Sequence, residues 1–183
     1  MTEDYPVLLM RHPRPKVAVG QCYGQTDIPL EAGWEAALEA VLPTLSGIEQ
    51  IISSPLSRCL QPARWLGRHL ALPVATDPRL MELNFGDWEG RLWDDFDGLQ
   101  SRAWAEDFVA RAPPGGESFQ ALATRVLAAV REHATSRPCL FLSHGGPIRA
   151  LLAQANGEPL SAAFSRSVPY AELIPLTPTE AGP

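Results

Sequence analysis

Residues 6–15 read PVLLMRHPRP, a run of five apolar or proline residues that ends abruptly in Arg11-His12 before two further prolines interrupt the chain. An apolar run of that length, stopped by charge and proline, reads as a buried strand that delivers a guanidinium and an imidazole to a chain reversal. A second stretch, CLFLSHGG at residues 139–146, repeats the arrangement and puts His144 at the end of its own apolar run. In an open α/β sheet, ligands gather at the carboxyl ends of the strands. Two strands that each end in a histidine therefore define both the sheet and the place to look for chemistry.

Working outward, 12–30 holds no sustained apolar period and reads as a long irregular loop, a length that in a compact domain usually carries function. From Glu31, Trp34, Leu38, Val41, Leu42 and Leu45 share one helical face, and Pro43 should kink or end that helix. Glu49–Ser54 reads as a second strand, with Ser54 as cap and Pro55 as first residue of a helix that carries Arg58 in its first turn. Leu72–Thr76 is a third strand, followed by a bend at Leu80, Met81 and Glu82. The spacing also predicts helices over Ser101–Ala112, Glu117–His133 and Pro147–Asn156, and a last strand over Ala171–Leu176, after which the tail frays. Strands alternating with helices indicate a doubly wound α/β domain spanning 1–183, with no internal repeat.

Composition excludes several classes. A net charge of −6 argues against general affinity for nucleic acid or anionic membrane. No apolar run is long enough for a membrane span, and the acidic start MTEDYP is unlike a signal peptide. Cys22, Cys59 and Cys139 are odd in number and widely spaced, which suits reduced thiols in a cytoplasm.

Arg11, His12, Arg58 near a helix start, and His144 followed by Gly145 and Gly146 would together make a small positive pocket in an acidic protein. Its natural guest is a phosphate, because guanidinium forks match phosphate oxygens. Nearby arginines disfavour imidazolium, so one histidine could stay neutral and attack phosphorus. The leaving alkoxide then needs an acid; Glu82 is the candidate, in competition with Asp87 and Glu89. A metal site built from His12, His144 and Glu82 is the competing chemistry, but two adjacent arginines make it hostile to a cation. Each of these residues also has a plain structural reading; their joint placement at one sheet edge favours the chemical one. His69, His133 and the tryptophans at 88, 93 and 104 are read as packing.

The stretches LLMRH (8–12), SSPLSR (53–58), MELNFGDWEG (81–90) and LSHGG (142–146) resemble, in order and at familiar spacing, the motifs of the histidine phosphatase superfamily, phosphoglycerate-mutase-like branch. The resemblance implies a three-layer α/β/α sandwich with a mostly parallel sheet and room for an antiparallel edge strand. It implies His12 as phosphorylated nucleophile, Glu82 as proton donor, and Arg11, Arg58 and His144 as the rest of the phosphate pocket, without cofactor or metal. Pro13, Arg14 and Pro15 depart from the commoner family pattern, while Tyr23-Gly24 and DIPL (27–30) fit the later part of that loop. RHPRP with CYGQTDIPL, FGDWEG and PPGGESF is similar to α-ribazole phosphatases, which implies removal of a 5′-phosphate from the nucleotide-loop precursor of cobalamin. Tyr23, Gly24, Arg14 and the Gly145 amide are then the expected substrate-binding groups. A broader sugar-phosphate phosphatase, a phosphoglycerate mutase-type enzyme and a silent phosphate-binding module are the alternatives. The edge strand and the tryptophan-rich middle leave room for a homodimer.

Overall fold

The computed structural model describes residues 6–96, 98–134 and 137–176; the acidic start and the tail beyond Leu176 lie outside them. The strands are β1 (Val7–Arg11), β2 (Gln50–Ser53), β3 (Val74–Thr76), β4 (Cys139–Ser143) and β5 (Leu173–Pro175). The helices are α1 (Glu35–Val41), α2 (Ser57–Leu70), α3 (Gly98–Glu106), α4 (Phe119–His133) and α5 (Gly145–Ala155). The sheet order is β3-β2-β4-β1-β5, parallel throughout except for β5, which runs antiparallel to β1 at the edge.

Two-residue alternation along the strands divides the core into the two outer layers of an α/β/α sandwich. Leu9, Ile52, Cys139 and Phe141 face one way and pack with Phe119, Leu122 and Val126 of α4 and Ile148 and Leu151 of α5. Met10, Ile51, Leu140 and Leu142 face the other way, onto Leu38 of α1 and Cys59, Ala63 and Leu66 of α2. All five residues of β4, the central strand, are buried, which is why Cys139–Leu142 reads as an unbroken apolar run before Ser143. Truncating Phe141 to alanine there would cost roughly 3–5 kcal/mol.

Several boundaries differ from the sequence reading: β2, β3 and β5 are shorter than expected, α4 starts at Phe119 and not Glu117, and α5 runs over Gly145–Ala155 and not Pro147–Asn156. α1 starts at Glu35, not Glu31, because the Glu31 amide donates to the Arg14 carbonyl and belongs to the loop. Pro43 ends α1 as expected, inside a 3₁₀ turn at Leu42–Thr44. α2 starts at Ser57 after an extended Leu56, so Ser54 and Pro55 are not its cap and first residue. Ser54 stays with the sheet, its amide donating to the Leu142 carbonyl, and the Asp27 carboxylate accepts from the Ser57 amide instead. α3 lies three residues earlier than its expected start and stops at Glu106, beyond which Asp107 turns the chain and accepts from the Ala110 amide. No helix among the described residues is long and apolar enough to cross a membrane.

Candidate active site

Strand register brings the site together. Arg11 pairs with Ser143, and the His12 amide donates to the Ser143 carbonyl, so Arg11-His12 and His144-Gly145 leave the sheet side by side. The two imidazole rings meet edge to face with centroids 5.1 Å apart. His12 is 1% exposed, and its Nδ1 lies 2.7 Å from the Pro13 carbonyl oxygen. A carbonyl can only accept, so Nδ1 carries the proton and Nε2 is the unprotonated nitrogen. Burial, reinforced by the charges of Arg58 and then Arg11, pushes the His12 pKa down to about 3. The ring is therefore a neutral base and nucleophile at ordinary pH.

His144 is held just as closely. Arg58 Nε donates to its Nδ1 at 3.2 Å, so its Nε2 carries the proton and donates to Ser54 Oγ at 2.8 Å. Burial first, then Arg58 and His12, hold the His144 pKa well below the usual imidazole range. Arg58 is fully buried in the first turn of α2 and also donates to the carbonyls of Gly24 (2.6 Å) and Thr26 (2.8 Å). Cys59 Sγ sits 3.4 Å from His144 Nε2, and burial raises its thiol pKa, so it is an inert neighbour.

Arg11 stacks on Tyr170 at 3.8 Å, donates to the Tyr170 hydroxyl at 3.0 Å and to the Val168 carbonyl at 2.9 Å, and leaves its buried Nε without a partner. The Tyr23 and Tyr170 hydroxyls approach within 3.4 Å. Glu82 turns its carboxylate to the Gly146 amide, at 3.1 and 3.2 Å, and to the Leu83 amide. A side chain at Gly146 would run into Glu82 Oε1, 2.3 Å from where its Cβ would stand, so glycine is required there for the acid to dock. A cavity of about 160 Å³ opens in front of Arg11, Tyr23, Glu82, Gly145 and Arg149.

The 12–30 loop is fastened by Glu89, which accepts from the amides of Gln25, Thr26 and Phe85 and from the Thr26 hydroxyl. Glu89 is thus a clamp, not a rival acid, and Asp87 lies against Gly115. Gly24 is buried behind Arg58, where a Cβ would stand 2.0 Å from the Leu83 carbonyl oxygen; it positions that arginine through its own carbonyl. Arg14 is exposed at the rim, 5.2 Å from the Tyr170 ring, over a neighbouring groove that also includes Tyr23 and Trp93. Among the described residues no group of three His, Cys, Asp or Glu side chains is arranged to hold a metal ion. His12, His144 and Glu82 do not fit one, since His12 Nδ1, both His144 nitrogens and the Glu82 carboxylate are committed to protein partners.

Residues 7–183 match the family model of the histidine phosphatase superfamily, branch 1. The chain belongs to this superfamily. Among its relatives, the glucosyl-3-phosphoglycerate phosphatase of Mycolicibacterium vanbaalenii is 36% identical over 171 residues, covering 84% of this chain and 75% of that one. The adenosylcobalamin/α-ribazole phosphatase of Escherichia coli K12 is 31% identical over 163 residues, covering 84% and 80%. The crystal structure of the α-ribazole phosphatase from Shigella flexneri superimposes with a TM-score of 0.81 at 28% identity, covering 92% of this chain and 88% of that one. The chain spans only 43% of the length of the mycobacterial proteins that it matches at 35% identity.

Sequence reasoning missed four side chains at this site. Ser54 and Cys59 touch His144, Tyr170 covers Arg11 and His12, and Arg149 lines the cavity. Arg149 had a signal: it lies one helical turn beyond Gly145 in HGGPIR, on the face that carries the glycine. Tyr170 had none, because it arrives from the connection that leads into the antiparallel strand β5.

Proposed function

We propose that this protein hydrolyses phosphate monoesters without a metal, through a transient phosphohistidine at His12. The observation that carries the reading is the neutral His12 imidazole with Nδ1–H committed to the Pro13 carbonyl, set among guanidinium groups that have no carboxylate counter-ion within ion-pair distance among the described residues. The Nε2 lone pair forms a bond to phosphorus as the bond from phosphorus to the ester oxygen breaks, and the departing oxygen takes a proton from the Glu82 carboxyl group. Water then attacks phosphorus in the second step. Glu82 accepts the proton of that water, the N–P bond breaks, and free phosphate leaves neutral His12 behind. Arg11 and Arg58 stabilise the charge on the equatorial oxygens in both steps, and His144, held between Arg58 and Ser54, keeps the Arg58 guanidinium in place.

Brief exposure to substrate followed by acid-free quenching and mass spectrometry should show one phosphoryl group on His12. His12→Ala should abolish turnover while EDTA leaves the native rate unchanged. Hydrolysis that survives His12→Ala would sink the reading, and a native protein that never acquires the phosphoryl group would favour a silent phosphate-binding module.

Among monoesters we propose α-ribazole 5′-phosphate as the substrate, on the RHPRP and CYGQTDIPL segments and on the relatives that carry that name. A sugar-phosphate or phosphoglycerate-type substrate is the second reading, favoured by the 36% identity to a glucosyl-3-phosphoglycerate phosphatase. Rates measured side by side decide between them; comparable kcat/KM values on all would favour a broad phosphatase. The three cysteines are free and buried, which suits the reducing cytoplasm we propose for it.

A further inference from the structure

Arg149 enters the site from α5 and none of the chemistry above uses it. Its Nε donates to the Arg166 carbonyl at 2.9 Å, which fixes the side chain, and its guanidinium passes beside the Phe164 ring. Neither Nη meets an acceptor, and no carboxylate lies within ion-pair distance of it, among the described residues. Its pKa is lowered by burial first and by the neighbouring Arg11 charge second, an effect that the Glu82 carboxylate across the cavity opposes but does not cancel. A half-buried guanidinium held beside another guanidinium is unfavourable unless an anion joins them.

Gly145 shows how closely the two arginines meet. The volume that a Cβ at 145 would fill is 2.7 Å from Arg149 Nη1 and 3.5–3.7 Å from the Arg11 guanidinium carbon and Nε. That Nε is the buried donor without a partner. Both arginines thus close on the glycine that opens α5, and both line the cavity of about 160 Å³ in front of it. Arg11 and Gly145, which line this cavity, stand directly beside His12 and His144 in the chain, at the paired ends of β1 and β4. Arg58 lies on the other side of His144, where it reaches Gly24 and Thr26.

We infer that Arg149 is a third arginine of the phosphoryl clamp, gripping with Arg11 an oxygen of the transferring group on the face opposite Arg58. The inference rests on the phosphomonoesterase reading and adds a catalytic residue to it. The equatorial oxygens then meet Arg11, Arg58 and Arg149 from different sides. The clamp acts on phosphorus and ignores the leaving group, so its loss should be felt equally by every substrate.

The test compares native protein with Arg149→Met and Arg149→Lys on three esters: p-nitrophenyl phosphate, glycerol 3-phosphate and 3-phosphoglycerate. The last two differ by a carboxylate on the leaving group. Arg149→Met should lower kcat/KM on all three by a common factor on the order of 10², as for other oxyanion donors. It should weaken inhibition by vanadate by a similar factor, and Arg149→Lys should restore part of both. A loss confined to 3-phosphoglycerate would overturn the inference and make Arg149 a reader of a second anionic group. Unchanged kinetics, or a lowered melting temperature with native vanadate affinity, would overturn it in favour of a structural role through Arg166. Failure of the underlying reading looks different, since native protein would then neither cleave any ester nor acquire phosphohistidine.

Discussion

His12 Nδ1 donates to the carbonyl oxygen of its own neighbour, Pro13, at 2.7 Å. One backbone bond therefore decides which ring nitrogen is nucleophilic, and a proline at 13 has no amide hydrogen to compete for that geometry. The phosphoenzyme should carry its phosphoryl group on Nε2 alone, an assignment that NMR of the trapped intermediate makes directly. A phosphoryl group on Nδ1 would contradict the tautomer that the Pro13 carbonyl imposes.

Glu82 is docked through the Gly146 and Leu83 amides, a geometry that glutamine can also adopt through its carbonyl oxygen. Glu82→Gln should therefore keep the site and lose only the proton. An alkyl phosphate, whose alkoxide cannot leave unprotonated, should slow by roughly 10²–10⁴-fold. p-Nitrophenyl phosphate, with a stable phenolate, should slow far less. Equal losses on both esters would show that Glu82 holds the pocket instead of moving a proton.

Much of this site was legible because its residues stand where apolar runs stop. Arg11, His12 and His144 end β1 and β4, Arg58 opens α2, and Glu82 follows the third strand; each position follows from local pattern alone. What was hidden depends on contacts across long stretches of chain. Asp27 replaces Ser54 at the start of α2 from 30 residues away, and Tyr170 reaches Arg11 across 159. Ser54 looked like a helix cap because serine before proline usually is one. Its hydroxyl instead serves His144, a partner 90 positions later in the chain.

Arg11 and Arg149 line one cavity, Arg58 lies buried on the far side of His144, and none of the three has a carboxylate ion pair among the described residues, so an oxyanion should stabilise the folded protein by binding it. At a phosphate concentration about 100 times Kd the gain is about 2.7 kcal/mol. For a chain of this size that corresponds to a rise in Tm of roughly 5–10 °C, read by differential scanning fluorimetry at constant ionic strength. Arg58→Met should remove most of the rise. An equal rise with chloride would mean that general screening, not the pocket, is responsible.

Acid should weaken the fold in two separable windows. The folded-state pKa of His12, about 3, lies below its ordinary value of 6.5, so the unfolded chain takes up that proton first and stability falls as pH drops from 6.5 towards 3. His144 is shifted in the same direction and adds to the same window. Asp77 acts later. Burial works to raise its pKa, but hydrogen bonds from the Arg79 guanidinium and amide and from His133 outweigh this and hold it at about 2. Its contribution of about 2 kcal/mol is complete above the ordinary value of 3.8 and is lost between there and pH 2. Urea unfolding between pH 7 and 4 should thus show stability falling with a slope that approaches two protons, about 2.7 kcal/mol per pH unit. His12→Gln removes one titrating ring and should halve that slope while leaving the loss below pH 3.8 intact. An unchanged slope in that variant would show that His12 is not kept neutral by the fold.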